Sequence, residues 1–341
     1  MAHAERWLSS VTPRTLEAPP SWSAWAAARG ELRAQLERRL GEFPPRPDLP
    51  QVTVSSCEEY EGYTLEKFQF ENGLGMTVPG FLFLPKHTAR KAPAILYCHW
   101  HGEQYDIGKN ELLQTNAAPV APGPVLARLG YVVLGIDACG FGERNGQGPG
   151  GPNERGAEGE LAAAKFCLWA DRTRWGVMIR DDRLALDYLC SRPEVDTRRI
   201  GVTGISMGST RAWWLMALDE RLRAASCIAC MTRCEDLVRA ESLNAHGIYY
   251  YVPGMLRCFD TEAVMALAAP RAMLFMTGDQ DPGSPASGAR KLGEKVAPFY
   301  QLAGAPGSFQ SIIYPGVGHV CLPEMWQRSV DWLAAHLKNE P

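Results

Sequence analysis

The stretch that leaves this chain the fewest choices is Arg199-Ile200-Gly201-Val202-Thr203-Gly204-Ile205-Ser206-Met207-Gly208-Ser209. A short apolar strand runs through Gly-x-Ser-x-Gly into residues 210–218, which are rich in Ala, Trp and Leu and read as a helix. A chain can pass from strand to helix this abruptly only if the residue at the tip accepts a strained backbone and its neighbours carry almost no side chain. Gly204 and Gly208 supply that room, so the pattern predicts an elbow that presents the Ser206 hydroxyl at the carboxyl end of a buried strand. Ser206 is expected to be a nucleophile. The Met207 N–H, which follows it, is expected to be one donor to the oxyanion that forms when a carbonyl is attacked.

A serine hydroxyl is a poor nucleophile near neutral pH, so a base must take its proton and a carboxylate must orient that base. Residues 273–282, Met-Leu-Phe-Met-Thr-Gly-Asp-Gln-Asp-Pro, read as a strand ending in a turn with two carboxylates, Asp279 and Asp281. Residues 311–319, Ser-Ile-Ile-Tyr-Pro-Gly-Val-Gly-His, end the next strand in His319, one of only seven histidines. The order Ser206, Asp281, His319, each residue after a different strand, is the chain order of a hydrolytic triad on a parallel sheet.

The rest of the chain supplies such a sheet. Residues 93–99 and 131–137 are near-continuous apolar runs, as strands covered on both faces require, and residues 120–129 between them suit a crossover helix. The alternation continues through a helix near 182–190 and strands near 224–229, 272–277 and 311–314, giving a mostly parallel, doubly wound α/β sheet. Residues 63–70 and 77–84 alternate around Glu71-Asn72-Gly73-Leu74-Gly75 and predict a hairpin forming an antiparallel N-terminal edge. Ahead of it, Trp22, Trp25, Leu32, Leu36 and Leu40 fall at helical spacing, so residues 1–60 are expected to form a helical arm packed on the body or on a second subunit. The catalytic body would span 61–341, with two lid-like excursions at 141–175 and 232–268 walling the site at the carboxyl ends of the strands. In the second, Tyr250 and Tyr251 are expected to narrow a substrate pocket.

Composition narrows the partners. With 341 residues, 46% of them hydrophobic, the chain can bury one large core. A net charge of −3 with interspersed signs offers no footprint for nucleic acid or an anionic membrane. No run reaches the ~18 apolar residues that span a bilayer, and the first residues lack the apolar core of a secretion signal, so a cytoplasmic protein acting on a small neutral molecule is expected. Ten cysteines scattered through apolar segments suit reduced core thiols.

With these residues in view, the chain resembles the α/β-hydrolase superfamily, in its acetyl xylan esterase and dienelactone hydrolase-like branch, over residues 63–337. The resemblance is carried by Arg198 to Gly208, Gly278-Asp279-Gln280-Asp281 and Gly318-His319. It implies that the acid is the third residue after Gly278, which is Asp281 rather than Asp279. It also implies a second oxyanion donor at the His101 N–H, because a His-Gly-x pattern lies over His99-Trp100-His101, with Trp100 in the place of the glycine and beside the pocket. Serine at the nucleophile position, where dienelactone hydrolase uses cysteine, favours ordinary esters. The implied activity is a serine carboxylesterase for short acyl esters, acetyl on a sugar among them, without metal or cofactor; peptidase, amidase and thioesterase chemistry share the same machinery.

Three other patterns read as structural. His99 and His101 share a strand face but have no third ligand at metal-site spacing. Cys227-Ile228-Ala229-Cys230 lacks a second pair and is expected to pack in the core. Asp137 and Arg144 are expected to tie down the loop beside the site.

Overall fold

The computed structural model describes residues 2–11, 13–86 and 91–338. Nine strands form one sheet: β1 (Val52–Tyr60), β2 (Tyr63–Glu71), β3 (Thr77–Pro85), β4 (Ala92–Cys98), β5 (Val132–Ile136), β6 (Val195–Ile205), β7 (Leu222–Ile228), β8 (Ala272–Gly278) and β9 (Phe309–Tyr314). Their order is β1-β2-β3-β5-β4-β6-β7-β8-β9. The strands from β5 to β9 are parallel, and β1, β2 and β3 add the antiparallel edge. Eleven helices surround it among the described residues: α1 (Ala2–Ser9), α2 (Trp22–Leu40), α3 (Pro122–Arg128), α4 (Gly156–Trp169), α5 (Arg174–Ser191), α6 (Met207–Leu218), α7 (Cys234–Arg239), α8 (Met255–Cys258), α9 (Thr261–Ala266), α10 (Ala286–Leu302) and α11 (Pro323–Leu337).

The central strands β4, β5 and β8 are buried along their whole length, which is what apolar runs without polar alternation require. Helices α2, α5, α6, α9 and α10 pack on one face around Trp25, Leu184, Trp213, Phe275 and Phe299. Helices α3 and α11 cover the other face around Leu126, Trp326 and Leu333. The sheet is therefore doubly wound, as its sequence pattern predicts.

Two expectations need correction. The sheet begins at Val52, inside the stretch 1–60 read as a helical arm, and β1 rather than the β2–β3 hairpin is the outer edge. Strand β1 is mostly exposed and carries Ser, Cys and Glu where an apolar face would show, so backbone pairing to β2, from Val52↔Phe70 to Tyr60↔Tyr63, defines it. Helix α5 starts at Arg174, eight positions before the expected start at 182, because Thr173 caps it by accepting the Gly176 N–H at 2.8 Å. The arm itself docks on the body: Trp25 is buried edge-on against Phe299 at 4.6 Å, and Arg29 and Arg33 both reach Glu220.

A single 3₁₀ turn, Gly108–Leu113, fixes the two loops that leave β4 and β5. Lys109 donates its N–H and its ammonium to the two carboxylate oxygens of Asp137, at 2.7 and 2.8 Å. Asp137 also accepts the Glu143 N–H, and Arg144 donates to the Asp137 carbonyl and to Asp181, so this pair braces the loop as the sequence suggests. Glu111 accepts the Tyr97 hydroxyl at 2.6 Å and the Trp100 N–H at 2.7 Å. Complete burial raises the Glu111 carboxyl to about 7, against the opposing pull of those two donors.

Trp25→Ala should cost about 3–5 kcal/mol in denaturant unfolding, the usual range for emptying a buried aromatic site; a change below about 1 kcal/mol would show that the arm is not docked on the body. Glu111 binds its proton more tightly folded than at its ordinary value of 4.5, so the native state binds more protons between there and about 7 and loses stability as pH rises through that window. Glu111→Gln lacks this slope. Its stability relative to the parent should rise by roughly 3 kcal/mol between about pH 4 and pH 8; a flat difference would mean that Glu111 titrates as it does in the unfolded chain.

Candidate active site

Ser206 sits between β6 and α6 with φ 58° and ψ −120°, a conformation that costs a non-glycine residue about 1–3 kcal/mol. The surroundings enforce it. A Cβ on Gly208 would lie 1.9 Å from the Cys98 carbonyl oxygen, and one on Gly204 would lie 2.4 Å from the same atom. Strands β4 and β6 pair in parallel with Cys98 opposite Gly204, so the elbow and the loop leaving β4 run side by side. The Ser206 N–H donates to the Ile228 carbonyl at 2.8 Å, which ties the tip to β7.

The structure brings the three expected residues into one line. Ser206 Oγ lies 2.8 Å from His319 Nε2, and His319 Nδ1 lies 2.8 Å from Asp281 Oδ2. Only a carboxylate faces Nδ1, so that nitrogen carries the ring proton and leaves Nε2 to accept from the serine hydroxyl. Ser206 and Asp281 are buried, whereas the His319 side chain is 32% exposed. Burial works to raise the Asp281 carboxyl, but the His319 hydrogen bond and charge, with the Gly283 N–H and Ser284, outweigh it and hold it below the usual carboxylate range.

Asp279 does different work. Its Oδ1 accepts the Gly316 N–H at 2.7 Å, while the Asp279 and Gln280 amides donate to the Tyr314 and Val317 carbonyls. These bonds lace the acid turn to the histidine loop. The crossing is so close that a Cβ on Gly278 would stand 1.9 Å from the Val317 oxygen.

The loop after β4 carries the second predicted oxyanion residue. The Trp100 amide is held by Glu111, so it cannot also serve an oxyanion. Its ring is half-buried and folds over Gly102, where a Cβ would meet it at 2.5 Å. The His101 ring donates from Nε2 to Glu160 Oε2 at 3.0 Å and accepts the Glu103 N–H on Nδ1. Arg174 backs Glu160 at 3.2 Å. Burial pushes the Glu160 carboxyl up, but His101 and Arg174 together bring it below its ordinary range. His99 is equally occupied, donating to the Trp100 carbonyl at 2.7 Å and accepting the Ala138 N–H at 3.0 Å, and burial keeps it neutral. Among the described residues no group of three or more His, Cys, Asp or Glu is arranged around a metal position.

Both excursions reach this loop: α4 brings Glu160, and residues 232–268 bring Tyr249, stacked on His101 at 5.2 Å. The two tyrosines expected at the pocket, Tyr250 and Tyr251, line a cavity whose walls do not include Ser206, Asp281 or His319. Tyr250 stacks on His246 at 4.1 Å, and with Tyr251 it lines a separate cavity of about 430 Å³ shared with Val11 and Leu256. Across the 3₁₀ turn Ile248–Tyr250 and the Tyr251 that ends it, three consecutive tyrosines make different contacts, and Tyr249 is the one stacked on His101. A further cavity of about 370 Å³, lined in part by Met76, Cys139, Arg144 and Phe166, lies apart from the triad.

Cys230 is buried as expected, but beside the site. Cys227 is core, but Ala229 and Cys230 take φ values of 62° and 57° beyond the end of β7, which turns the Cys230 thiol to 3.6 Å from Ser206 Oγ. Burial pushes this thiol up to about 12, so it stays protonated and cannot compete with the serine at neutral pH. All ten cysteines are free. Tyr249, Glu111 and Glu160 carry no motif, and Cys230 stands in a Cys-x-x-Cys that points to the core rather than to the site; position at the carboxyl end of a strand was the one usable signal, and it applies only to Cys230.

The similarities to known proteins agree with this architecture. The chain is 35% identical over 293 residues to "Putative hydrolase YtaP" of Bacillus subtilis (strain 168), covering 85% of this chain and 94% of that one. Its fold is similar to a "putative acetyl xylan esterase" of Bacteroides fragilis NCTC 9343, at a TM-score of 0.71 and 19% identity over 91% of this chain and 80% of that one. It is also similar to a glucuronoyl esterase from Solibacter usitatus, at a TM-score of 0.69 and 18% identity over 94% of each chain. The sequence profile described as the abhydrolase family matches residues 18–315, and with an elbow of this geometry on a mostly parallel sheet the chain belongs to that family.

Proposed function

We propose that this protein is a serine carboxylesterase acting on short-chain acyl esters through an acyl-enzyme. The observation that carries the reading is the unbroken line from Ser206 Oγ through the His319 ring to Asp281, with both contacts at 2.8 Å. His319 Nε2 takes the Ser206 proton as Oγ bonds to the ester carbon, and the carbonyl electrons move onto oxygen. Met207 opens α6, so its N–H is one of the unpaired amides of a helix N-terminus and suits that oxyanion. The His101 N–H has no acceptor among the described residues and follows the amide that Glu111 occupies, which supports it as the second donor. As the tetrahedral adduct collapses, the ester C–O bond breaks and His319 gives its proton to the leaving alcohol. A water deprotonated by His319 then releases the acid and restores Ser206. The similar folds of a putative acetyl xylan esterase and a glucuronoyl esterase support carbohydrate esters as the substrate class.

Hydrolysis of p-nitrophenyl esters from acetyl to octanoyl, run beside aminoacyl anilides and acyl thioesters, tests the reading. Acetyl and propionyl esters should turn over fastest, and a stronger response to anilides or thioesters would replace the esterase reading. Ser206→Ala should lose on the order of 10⁴-fold or more in kcat and all labelling by a fluorophosphonate, with unfolding unchanged; retention of more than about a tenth of the activity would remove Ser206 from the reaction. Asp281→Asn should lose on the order of 10⁴-fold through a misoriented His319, whereas Asp279→Asn should act mainly on stability by freeing the Gly316 amide. The reverse order would reassign the acid.

A further inference from the structure

Helix α4 turns one face to the site and leaves the other exposed. Glu160, Ala163 and Cys167 are buried on the inner face, where Glu160 holds the His101 ring. The outer face carries Leu161, Phe166, Leu168 and Trp169, which are 45%, 51%, 64% and 91% exposed. Single apolar side chains on a surface are ordinary, but large ones gathered on one helix between positions 161 and 169 make a patch of the kind that marks an interaction surface. The patch points away from the His101 loop, so it is not a wall of the active site.

Two charges interrupt the patch. At about 100° per residue, Glu158, Leu161, Lys165 and Leu168 fall on one stripe of α4, with Phe166 and Trp169 on the stripe beside it. Glu158 and Lys165 are exposed, and neither side chain has a hydrogen-bond or ion-pair partner among the described residues. They stand about 10 Å apart along the axis, too far to pair with each other. The acid lies toward the start of the helix and the base toward its end, so the face is complementary to itself. A second α4, turned about a two-fold axis that passes between Leu161 and Ala162, runs antiparallel and sets Glu158 of each copy opposite Lys165 of the other. Leu161 then lies at the centre, and Leu168 and Trp169 lie over the start of the facing helix. With one positive and one negative charge, the patch has no net attraction for an anionic lipid surface.

We propose that the outer face of α4 is the contact between two copies of this chain, packed as an isologous antiparallel helix pair. The pair removes the apolar side chains of both copies from water and gives each of the four charges a partner. Because Glu160 works from the opposite face, both active sites stay open in the pair, and the helix that holds each His101 ring is backed by its counterpart.

Sedimentation of the full chain over a range of micromolar concentrations tests this, and the parent should be a dimer. Glu158→Lys sets lysines against lysines across the axis, and Lys165→Glu sets acids against acids. Each variant should associate about tenfold more weakly at low salt, with its unfolding unchanged because both positions are exposed. An equimolar mixture of the two variants brings opposite charges together again in a heterodimer and should associate about as tightly as the parent. High salt should narrow the difference between parent and variants. Leu168→Ser combined with Trp169→Ser removes apolar contact without touching either charge and should give monomers. A parent that sediments as a monomer throughout overturns the inference; if it then floats with phosphatidylcholine vesicles, the face is a lipid-binding surface. A dimer that neither the charge variants nor the serine variant weakens overturns it as well, because its contact lies elsewhere. Weakened single variants whose mixture fails to recover overturn the antiparallel pairing.

Discussion

The structure depends on the contact between the elbow and the loop leaving β4. With Cys98 registered against Gly204, any side chain at Gly204 or Gly208 would drive into the Cys98 carbonyl and push two buried strands apart. The same contact aligns the first turn of α6 with the loop from His99 to His101. The positive φ of Ser206 is the strain that this approach imposes, and it is sustained because the Ile228 carbonyl and the surrounding core over-determine the tip.

Around that contact the loops are fixed by carboxylates, three of the four buried, each holding a backbone amide or a ring rather than another surface charge. Glu111 holds the Trp100 amide, Glu160 the His101 ring, Asp279 the Gly316 amide and Asp281 the Gly283 amide. Loops that leave the carboxyl ends of a parallel sheet have no ladder of their own, so their backbone groups must be satisfied by side chains from elsewhere. A carboxylate is an efficient choice because it accepts at two oxygens. Glu111 and Glu160 pin the loop after β4, Asp279 the histidine loop and Asp281 the acid turn, and together they give the site its geometry.

The two excursions complete the enclosure from opposite directions. Helix α4 reaches the His101 ring with Glu160, and residues 232–268 cover it with Tyr249 and approach Asp281 through His246 and Gly283. The glycine-rich start of the first excursion and the aromatic middle of the second read alike as insertions in the sequence, yet both meet the same loop.

The sequence by itself determined the sheet and the positions at its carboxyl ends. Apolar runs suit strands covered on both faces, and Gly-x-Ser-x-Gly, Gly-Asp-Gln-Asp and Gly-His each end one of them, so Ser206, His319 and the turn with Asp279 and Asp281 were legible from local pattern and order, while the choice of Asp281 rested on the family resemblance. Strand β1 was not, because an exposed edge strand needs no apolar face and exists through its pairing with β2. Only the tertiary structure decided which of Tyr249, Tyr250 and Tyr251 turns toward His101, since a 3₁₀ turn obeys neither the strand period nor the helix period. It likewise decided that the buried Cys230 lies beside Ser206, through two consecutive left-handed residues that no composition signals. Glu111, Glu160 and His246 find their partners 11, 59 and 37 positions away, and contacts across such gaps are set by the packing of whole elements, which a local pattern does not contain.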